Sequence, residues 1–199
     1  WSFTYGTVEY DNSEFASETF DHNIVCTGRS NLLPGQPSSA IIFKTDSSGH
    51  LLWAKSYGGI SNDGLVQIIE TSDHGYAAVG NTTSLSSGTY DILLIRTDSN
   101  GDTLFTRSYG TIEEELGFSV IQLPDNGFLI SGRLATFAGG APKADGLLLR
   151  TDASGNLLWS KQYGDSLWEE LTAARLLPDS GYIIAGSTVT FGAGSNDIL

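Results

Sequence analysis

Cysteine and histidine are scarce in this chain of 199 residues. The single cysteine, Cys26, excludes an internal disulfide. None of the three histidines, His22, His50 and His74, has a second ligand at the spacing typical of a metal site. No apolar run approaches the roughly 18 residues that a membrane-spanning helix needs. These absences argue against a disulfide scaffold, a histidine metal centre and a helical membrane span.

Positive charge is also scarce. The chain has 10 Lys and Arg residues against 23 Asp and Glu residues, which gives a formal net charge of −13. Phosphate groups would be repelled, so neither nucleic acid nor an anionic membrane surface is an expected partner. The same charge keeps an extracellular protein soluble.

Repetition, by contrast, runs through the whole chain. The pair Tyr-Gly recurs at steps of 52, 52 and 54 residues, at Tyr5-Gly6, Tyr57-Gly58, Tyr109-Gly110 and Tyr163-Gly164. A fixed period of this size, built from short apolar runs and turn residues, predicts a radial or stacked repeat architecture. In the third unit, apolar-rich runs at 118–123, 128–131, 147–150 and 157–159 are separated by Gly, Pro, Asn and Asp. This pattern predicts four antiparallel strands per unit, here called A to D.

We therefore predict an all-β fold, a β-propeller of about four blades that are each a four-stranded antiparallel sheet. A stacked β-solenoid is the alternative. The prediction is a single domain over 1–199, with a closing strand at 1–6, blades at 7–58, 59–110 and 111–164, and a partial blade at 165–199. The N-terminal strand is expected to complete the last blade, or to pair with another chain, and so to cover an open sheet edge.

Three turn-to-strand stretches, 45–53, 97–105 and 151–159, carry a family resemblance. They resemble the tryptophan-docking repeats of quinoprotein-type propellers, in which a Gly is followed four residues later by a Trp that packs between blades. They resemble less closely the Asp-box turns of sialidase-type propellers. The whole unit is similar to tandem-repeat propellers of secreted Bacteroidota-like bacterial proteins. That resemblance implies a secreted bacterial protein, extracellular or on the cell surface, and implies no particular activity.

An acidic residue stands six positions after each repeated Tyr, at Asp11, Asp63, Glu115 and Glu169. In a propeller these positions precede strand A, on loops around the mouth of the central channel. Converging carboxylates would raise one another's pKa or bind a cation, for which calcium is the candidate. The alternative is that each acid accepts hydrogen bonds from backbone amides of its own loop and contacts no neighbour.

Two further acidic sets have structural interpretations. Asp46, Asp98 and Asp152 are predicted to cap their own turns, although 98–102 also resembles part of a calcium loop without its distal glutamate. A basic residue recurs at the end of strand C, and these residues are predicted to form ion pairs within each sheet with a second set of acids. The basic residues are Lys44, Arg96 and Arg150, and the acids are Asp21, Asp73, Asp125 and Asp179.

Trp168 departs from the repeat, because Tyr10, Asn62 and Glu114 occupy the equivalent positions. With its acidic neighbours it is suited to stack on a sugar ring, or alternatively to pack between blades or subunits. Arg29 and Arg133 end strand B in the first and third units, opposite each other in a four-bladed ring, and are candidates to bind a carboxylate.

Three residues are candidate glycosylation sites. Asn81 begins the sequon 81–83, and Thr103 and Ser166 lie in Asp-Ser/Thr-apolar patterns of the kind that Bacteroidota-like secreted proteins glycosylate. Such short patterns arise often by chance.

The sequence favours a non-catalytic extracellular propeller that acts as a scaffold or as a recognition module for a glycan, a cation or a protein. A subunit that self-assembles through an open blade edge, as an oligomer or filament, is the first alternative. A propeller-type glycoside hydrolase is the second. Its general acid and general base would need different environments that move their pKa values apart, and four near-equivalent acids do not provide them. We expect no enzyme activity and no cofactor other than calcium.

Overall fold

The computed structural model describes residues 2–31, 33–137, 143–165, 167–192 and 197–199, and these residues contain β-strands and no helix. The strands are β1 (Asp11–Glu18), β2 (Ile24–Ser30), β3 (Ser39–Thr45), β4 (Leu51–Tyr57), β5 (Asp63–Glu70), β6 (Tyr76–Thr82), β7 (Asp91–Thr97), β8 (Thr103–Tyr109), β9 (Glu114–Gln122), β10 (Phe128–Thr136), β11 (Lys143–Thr151), β12 (Leu157–Tyr163), β13 (Glu169–Leu176), β14 (Tyr182–Thr188) and β15 (Asp197–Ile198). Among the described residues, no helix is long and apolar enough to cross a membrane.

Consecutive strands form four antiparallel sheets. The first three sheets have four strands each, in the orders β1-β2-β3-β4, β5-β6-β7-β8 and β9-β10-β11-β12, and the fourth has the order β13-β14-β15. The predicted all-β class and the four-stranded antiparallel unit are confirmed. Each sheet corresponds to one sequence repeat.

The turns between the third and fourth strands of a sheet follow directly from their sequence. In the turn after β7, the Asp98 carboxylate accepts the backbone N–H groups of Asn100 at 2.9 Å and Asp102 at 2.8 Å. Gly101 adopts a φ of 78°, which a residue with a Cβ rarely does. Asp46 and Asp152 cap the equivalent turns in the same way. The prediction of self-capped turns is confirmed.

The structure corrects the strand that was predicted at residues 1–6. The described residues 2–6 belong to no strand, and Trp1 lies outside the described residues. The Tyr5 hydroxyl nevertheless donates to the carbonyl of Gly49, and its ring lies 5.2 Å from that of Phe43. A strand needs a neighbour to pair its backbone groups, so this segment is held by side chains instead of a ladder.

The fourth sheet is smaller than the others. Strand β15 pairs with β14 only at Ser187 and Thr188, with two further backbone bonds between Gly186 and Leu199. In the first sheet, by contrast, β3 pairs with β2 along seven residues from Ser39 to Thr45. Most of β14 therefore has one unpaired side among the described residues.

The chain divides into two compact units. The first comprises Trp1–Leu85 and Leu93–Ser108, and the second comprises Ser86–Ile92 and Tyr109–Leu199. Within the first unit, β5 packs against β1, β2 and β3. Within the second unit, β13 packs against β9, β10 and β11. The prediction of one domain over 1–199 stays a prediction.

The core of each unit lies between two sheets. In the first unit, one face of the first sheet meets one face of the second, through Val25, Ala40, Ile42 and Trp53 on one side and Leu65, Ile68, Tyr76, Ala78, Leu93 and Ile95 on the other. In the second unit, Leu129, Leu148 and Trp159 of the third sheet meet Leu171 and Ile184 of the fourth. Equivalent repeat positions thus make equivalent contacts.

Candidate functional site

The four repeated acids lie at the beginning of the first strand of their sheets. Each accepts a hydrogen bond from the backbone N–H of the residue four positions earlier. The donors are Thr7 to Asp11 at 2.6 Å, Gly59 to Asp63 at 2.8 Å, Thr111 to Glu115 at 3.1 Å and Asp165 to Glu169 at 3.4 Å. The loop before each first strand therefore folds back over the carboxylate that follows it.

Hydroxyl groups donate to the remaining carboxylate oxygens of Asp63 and Glu115. Thr82 and Ser84 donate to Asp63 at 2.5 and 2.6 Å, and Thr111 donates to Glu115 at 2.6 Å. Asp63, Glu115 and Glu169 are at most 2% exposed. Ionised carboxylates at that depth are stable only when they are hydrogen-bonded.

These bonds also act on the pKa of two of the acids. The Ser30 hydroxyl and the Thr7 donors hold the pKa of Asp11 below its usual value. Burial acts to raise the pKa of Glu169, but donors from Thr188 and Thr190 outweigh it and lower the pKa. Each of the four acids thus accepts hydrogen bonds from its own loop. Among the described residues, no three His, Cys, Asp or Glu side chains are grouped to hold a metal ion. A binding role for these acids stays a prediction.

A further set of acids was missed by the sequence analysis. Asp91 begins β7, is 2% exposed and packs beside Glu115 over Gly110. A Cβ on Gly110 would lie 2.3 Å from the Asp91 carboxyl carbon and 2.8 Å from the nearer Glu115 oxygen. Burial and the charge of Glu115 raise the pKa of Asp91. The signal was present in the sequence, since Asp145 and Asp197 stand at the equivalent positions of the third and fourth repeats.

The same geometry explains the Gly of the Tyr-Gly motif. A Cβ on Gly164 would lie 2.4 Å from an Asp145 oxygen and 2.8 Å from a Glu169 oxygen. On Gly58, whose φ is 119°, it would lie 2.1 Å from an Asp63 oxygen. The glycine leaves the space that the carboxylates occupy. The Tyr-Gly motif therefore has a structural role in accommodating the repeated acids.

Trp168 belongs to a cluster of side chains that does not repeat. The Arg133 guanidinium lies 4.6 Å from the centre of the Trp168 ring, within the range of a cation–π contact. Its two terminal nitrogens lie 3.4 Å from Glu114 and 3.4 Å from Glu170. The buried Nε of Arg133 has no hydrogen-bond partner within the part of the chain that the structure describes. Trp168 and Arg133 are separate candidates in the sequence, and the structure brings them together.

The Trp168 backbone is fixed on both sides. Its carbonyl accepts the N–H of Val189 at 2.9 Å, and an isolated parallel bridge links it to Ala144. The ring itself is half-buried. Trp168, Arg133, Glu114 and Glu170, which we call the Trp168 cluster, thus combine an aromatic ring with charged groups on a rigid frame.

The predicted ion pairs within sheets are present in three repeats. Lys44 contacts Asp21 at 2.7 Å, Arg96 contacts Asp73 at 2.5 Å, and Arg150 contacts Asp125. The pKa values of these three acids are lowered. For Asp125 the Gly127 amide and the Arg150 guanidinium cause the shift, and for Asp21 and Asp73 polar partners overcome an opposing effect of burial. Asp179 accepts the N–H of Gly181 at 3.0 Å.

The remaining sequence candidates have different environments. Asn81 is half-buried within β6, whereas Thr103 is exposed at the beginning of β8. Ser166 lies outside the described residues. Cys26 is buried, and burial raises the pKa of its thiol, which fits a core residue and not a nucleophile. Glycosylation stays a prediction.

Comparison with known proteins adds little about function. No protein-family model matches the chain. The chain is 28% identical over 181 residues to the regulatory protein FlaEY of Caulobacter vibrioides. The aligned part covers 82% of this chain and 17% of that protein. The similarity therefore concerns a small part of a much longer protein.

Proposed function

We propose that the four sheets are blades of a β-propeller and that the protein is a non-catalytic recognition module of an extracellular bacterial protein. The proposal is supported by the match between sheets and repeats and by the equivalent packing of sheet on sheet within each unit. Radially repeated four-stranded antiparallel sheets are typical of propellers. The likeness to part of FlaEY is compatible with such a repeat region in a longer protein.

The Trp168 cluster is the observation that carries the recognition role. The repeated acids bind their own loops, and the repeated Asp–Arg and Asp–Lys pairs hold hairpins, so these sets serve the scaffold. The Trp168 cluster has no counterpart in the other repeats, because Tyr10 and Asn62 occupy the positions of Trp168 in the first two. A residue set outside the structural pattern is the one free to serve a ligand.

The chemistry of the cluster suits a carbohydrate. An aromatic ring packs against the apolar face of a sugar, while Glu114, Glu170 and Arg133 offer acceptors and donors for its hydroxyl groups. The ion pairs hold these side chains in place before binding, which reduces the entropy lost on binding. A glycan is therefore the proposed ligand class.

Binding to a glycan array, followed by calorimetry on any positive glycan, tests this proposal. We expect Trp168→Ala to weaken binding at least about tenfold, since aromatic anchors are energetic centres of binding sites. Tyr10→Ala is the matched control, because Tyr10 is 59% exposed at the equivalent position of the first repeat, and it should bind as the parent does. An array without any bound glycan would refute the proposal.

A further inference from the structure

Two buried carboxyl groups of the second unit meet over Gly110. Asp91 and Glu115 are 2% and 1% exposed. A Cβ on Gly110 would lie 2.4 Å from Oδ1 of Asp91 and 2.8 Å from Oε2 of Glu115, so the two oxygens converge on the same space. Two ionised carboxylates in one buried place repel each other, and burial makes both charges costly. The pair therefore needs a group that neutralises part of its charge.

Hydrogen bonds serve the two carboxyl groups unequally. Glu115 accepts both the backbone N–H and the hydroxyl of Thr111, at 3.1 and 2.6 Å. Asp91 accepts the N–H of Ser87 at its other oxygen, Oδ2, at 3.3 Å. Oδ1 of Asp91 is buried and has no hydrogen-bond partner among the described residues. Because hydrogen bonds favour the ionised form, Glu115 is the better holder of the negative charge and Asp91 the better holder of a proton.

The position opposite Glu115 departs from the repeat. The residues that pair with the repeated acids on the second strand of each sheet are, in chain order, Ser30, Thr82, Leu134 and Thr188. In the second and fourth repeats the threonine hydroxyl donates to the acid, at 2.5 and 3.0 Å. Leu134 has no hydroxyl group. Glu115 therefore lacks a donor that stands opposite each equivalent acid, and Oδ1 of Asp91 faces it instead.

The charged groups on the neighbouring strands do not replace that donor. Strand β6 carries no charged residue. Arg107 of β8 lies 5.2 Å from the centre of the Phe105 ring, and Arg133 of β10 contacts Glu114 and Glu170. Burial and the charge of Glu115 together raise the pKa of Asp91. The described surroundings thus favour a neutral carboxyl group at Asp91.

We propose that Asp91 and Glu115 bind one proton between them, which Oδ1 of Asp91 carries and donates to Oε2 of Glu115. The proton comes from solvent and does the work of the hydroxyl that Leu134 lacks. It links the segment before β7 to the beginning of β9, and both belong to the second unit. When the proton leaves at higher pH, attraction between the two groups turns into repulsion. The pair is therefore a pH-sensitive link within this unit.

Thermal unfolding of the parent and of Asp91→Asn tests the proposal, because asparagine has the shape of the protonated side chain and keeps an N–H donor at every pH. The folded-state pKa of Asp91 is raised, so the stabilisation is complete below the unfolded value of about 3.9 and is lost as the pH rises through the folded pKa. We expect the two proteins to melt alike near that value and Asp91→Asn to melt at least about 2 °C above the parent at about pH 8.

Asp145→Asn is the matched control. Asp145 lies over Gly164 beside Glu169 at the same spacing, but it is only half-buried, and Glu169 has its threonine donor. Its difference from the parent should not grow with pH. Leu134→Thr restores the hydroxyl, and in that background the gain from Asp91→Asn at high pH should fall by at least about half.

Carbon-13 NMR of the aspartate carboxyl groups in the parent reports the proton without any variant. The Asp91 signal should titrate at a higher pH than the Asp145 signal. Titration of both at the same pH would overturn the proposal, as would an Asp91→Asn difference that is constant from about pH 4 to 8. An equal rise in Asp145→Asn would also overturn it, because the missing hydroxyl at Leu134 would then not be what places the proton.

Discussion

Tyr57 and Tyr109 show how one repeated side chain fastens a repeat to the turn of the next. The Tyr57 hydroxyl donates to the Gly101 carbonyl at 2.7 Å, and the Tyr109 hydroxyl donates to Gly155 at 2.7 Å. Both tyrosines are under 10% exposed. Burial, together with the charges of Asp102 and Asp98, raises the pKa of Tyr57. The phenol is therefore a neutral donor at neutral pH.

Removing this hydroxyl should lower stability. We expect Tyr57→Phe to cost about 1–3 kcal/mol of unfolding free energy, because the Gly101 carbonyl loses its partner in a buried place. Urea denaturation measures the change. Tyr163→Phe is the control, since Tyr163 is 43% exposed, and its cost should stay within about 0.5 kcal/mol. Equal losses in the two variants would contradict this account of the motif.

At the scale of strands and hairpins, the ion pairs join the first turn of a sheet to the end of its third strand. Arg96 is 5% exposed, whereas the side chain of Asp73 is 63% exposed. The cation is thus the buried member, and it also donates to the carbonyl of Tyr76 at 3.2 Å. The pair tethers the hairpin β5–β6 to the end of β7.

Because of the Arg96–Asp73 ion pair, the free energy of unfolding should depend on pH in the acidic range. The folded-state pKa of Asp73 lies below the unfolded value of about 3.9, so its stabilising contribution is complete above that value and is lost as the pH falls through the folded pKa. We expect Asp73→Asn to cost about 1 kcal/mol at pH 7 and progressively less below about pH 4. Thermal unfolding across pH 2.5–7 (about ten points) measures the difference.

Asp179→Asn is the control for this experiment. Asp179 occupies the equivalent turn of the fourth sheet and forms no ion pair among the described residues. Its substitution should change the melting temperature little, and equally at every pH. A cost for Asp73→Asn that does not shrink in acid would show that the ion pair is not its cause.

Sequence reasoning succeeded at this scale where local chemistry decides the structure. The Asp98 turn and the Arg96–Asp73 pair were predicted because each depends on residue types at fixed spacing. Asp91 was missed because its role depends on Glu115 and Gly110, which lie about 20 residues away in the chain. The predicted strand at 1–6 was wrong for residues 2–6, because a strand pattern in the sequence cannot show whether a pairing partner is present.

At the scale of the whole molecule, the repeat predicted the number and composition of the sheets but not their contacts with ligands. Within each unit, equivalent residues recur because the two sheets pack through equivalent faces. Under the proposed function, recognition resides in a departure from that pattern, Trp168. The periodicity that made the fold predictable therefore carries no information on the site.

The net charge of −13 makes a last prediction possible for the whole chain. Self-repulsion destabilises the folded state at low ionic strength, so NaCl should raise the melting temperature, by about 2–4 °C if screening contributes roughly 1 kcal/mol.

CaCl₂ at matched ionic strength should act no differently, because the oxygens of Asp63 and Glu169 already accept hydrogen bonds from loop donors that a cation would have to displace. Differential scanning calorimetry compares the melting temperature in the two salts. A rise specific to calcium that disappears in Asp63→Asn would mean instead that the repeated acids bind a cation, and that the hydrogen bonds in the loops give way to it.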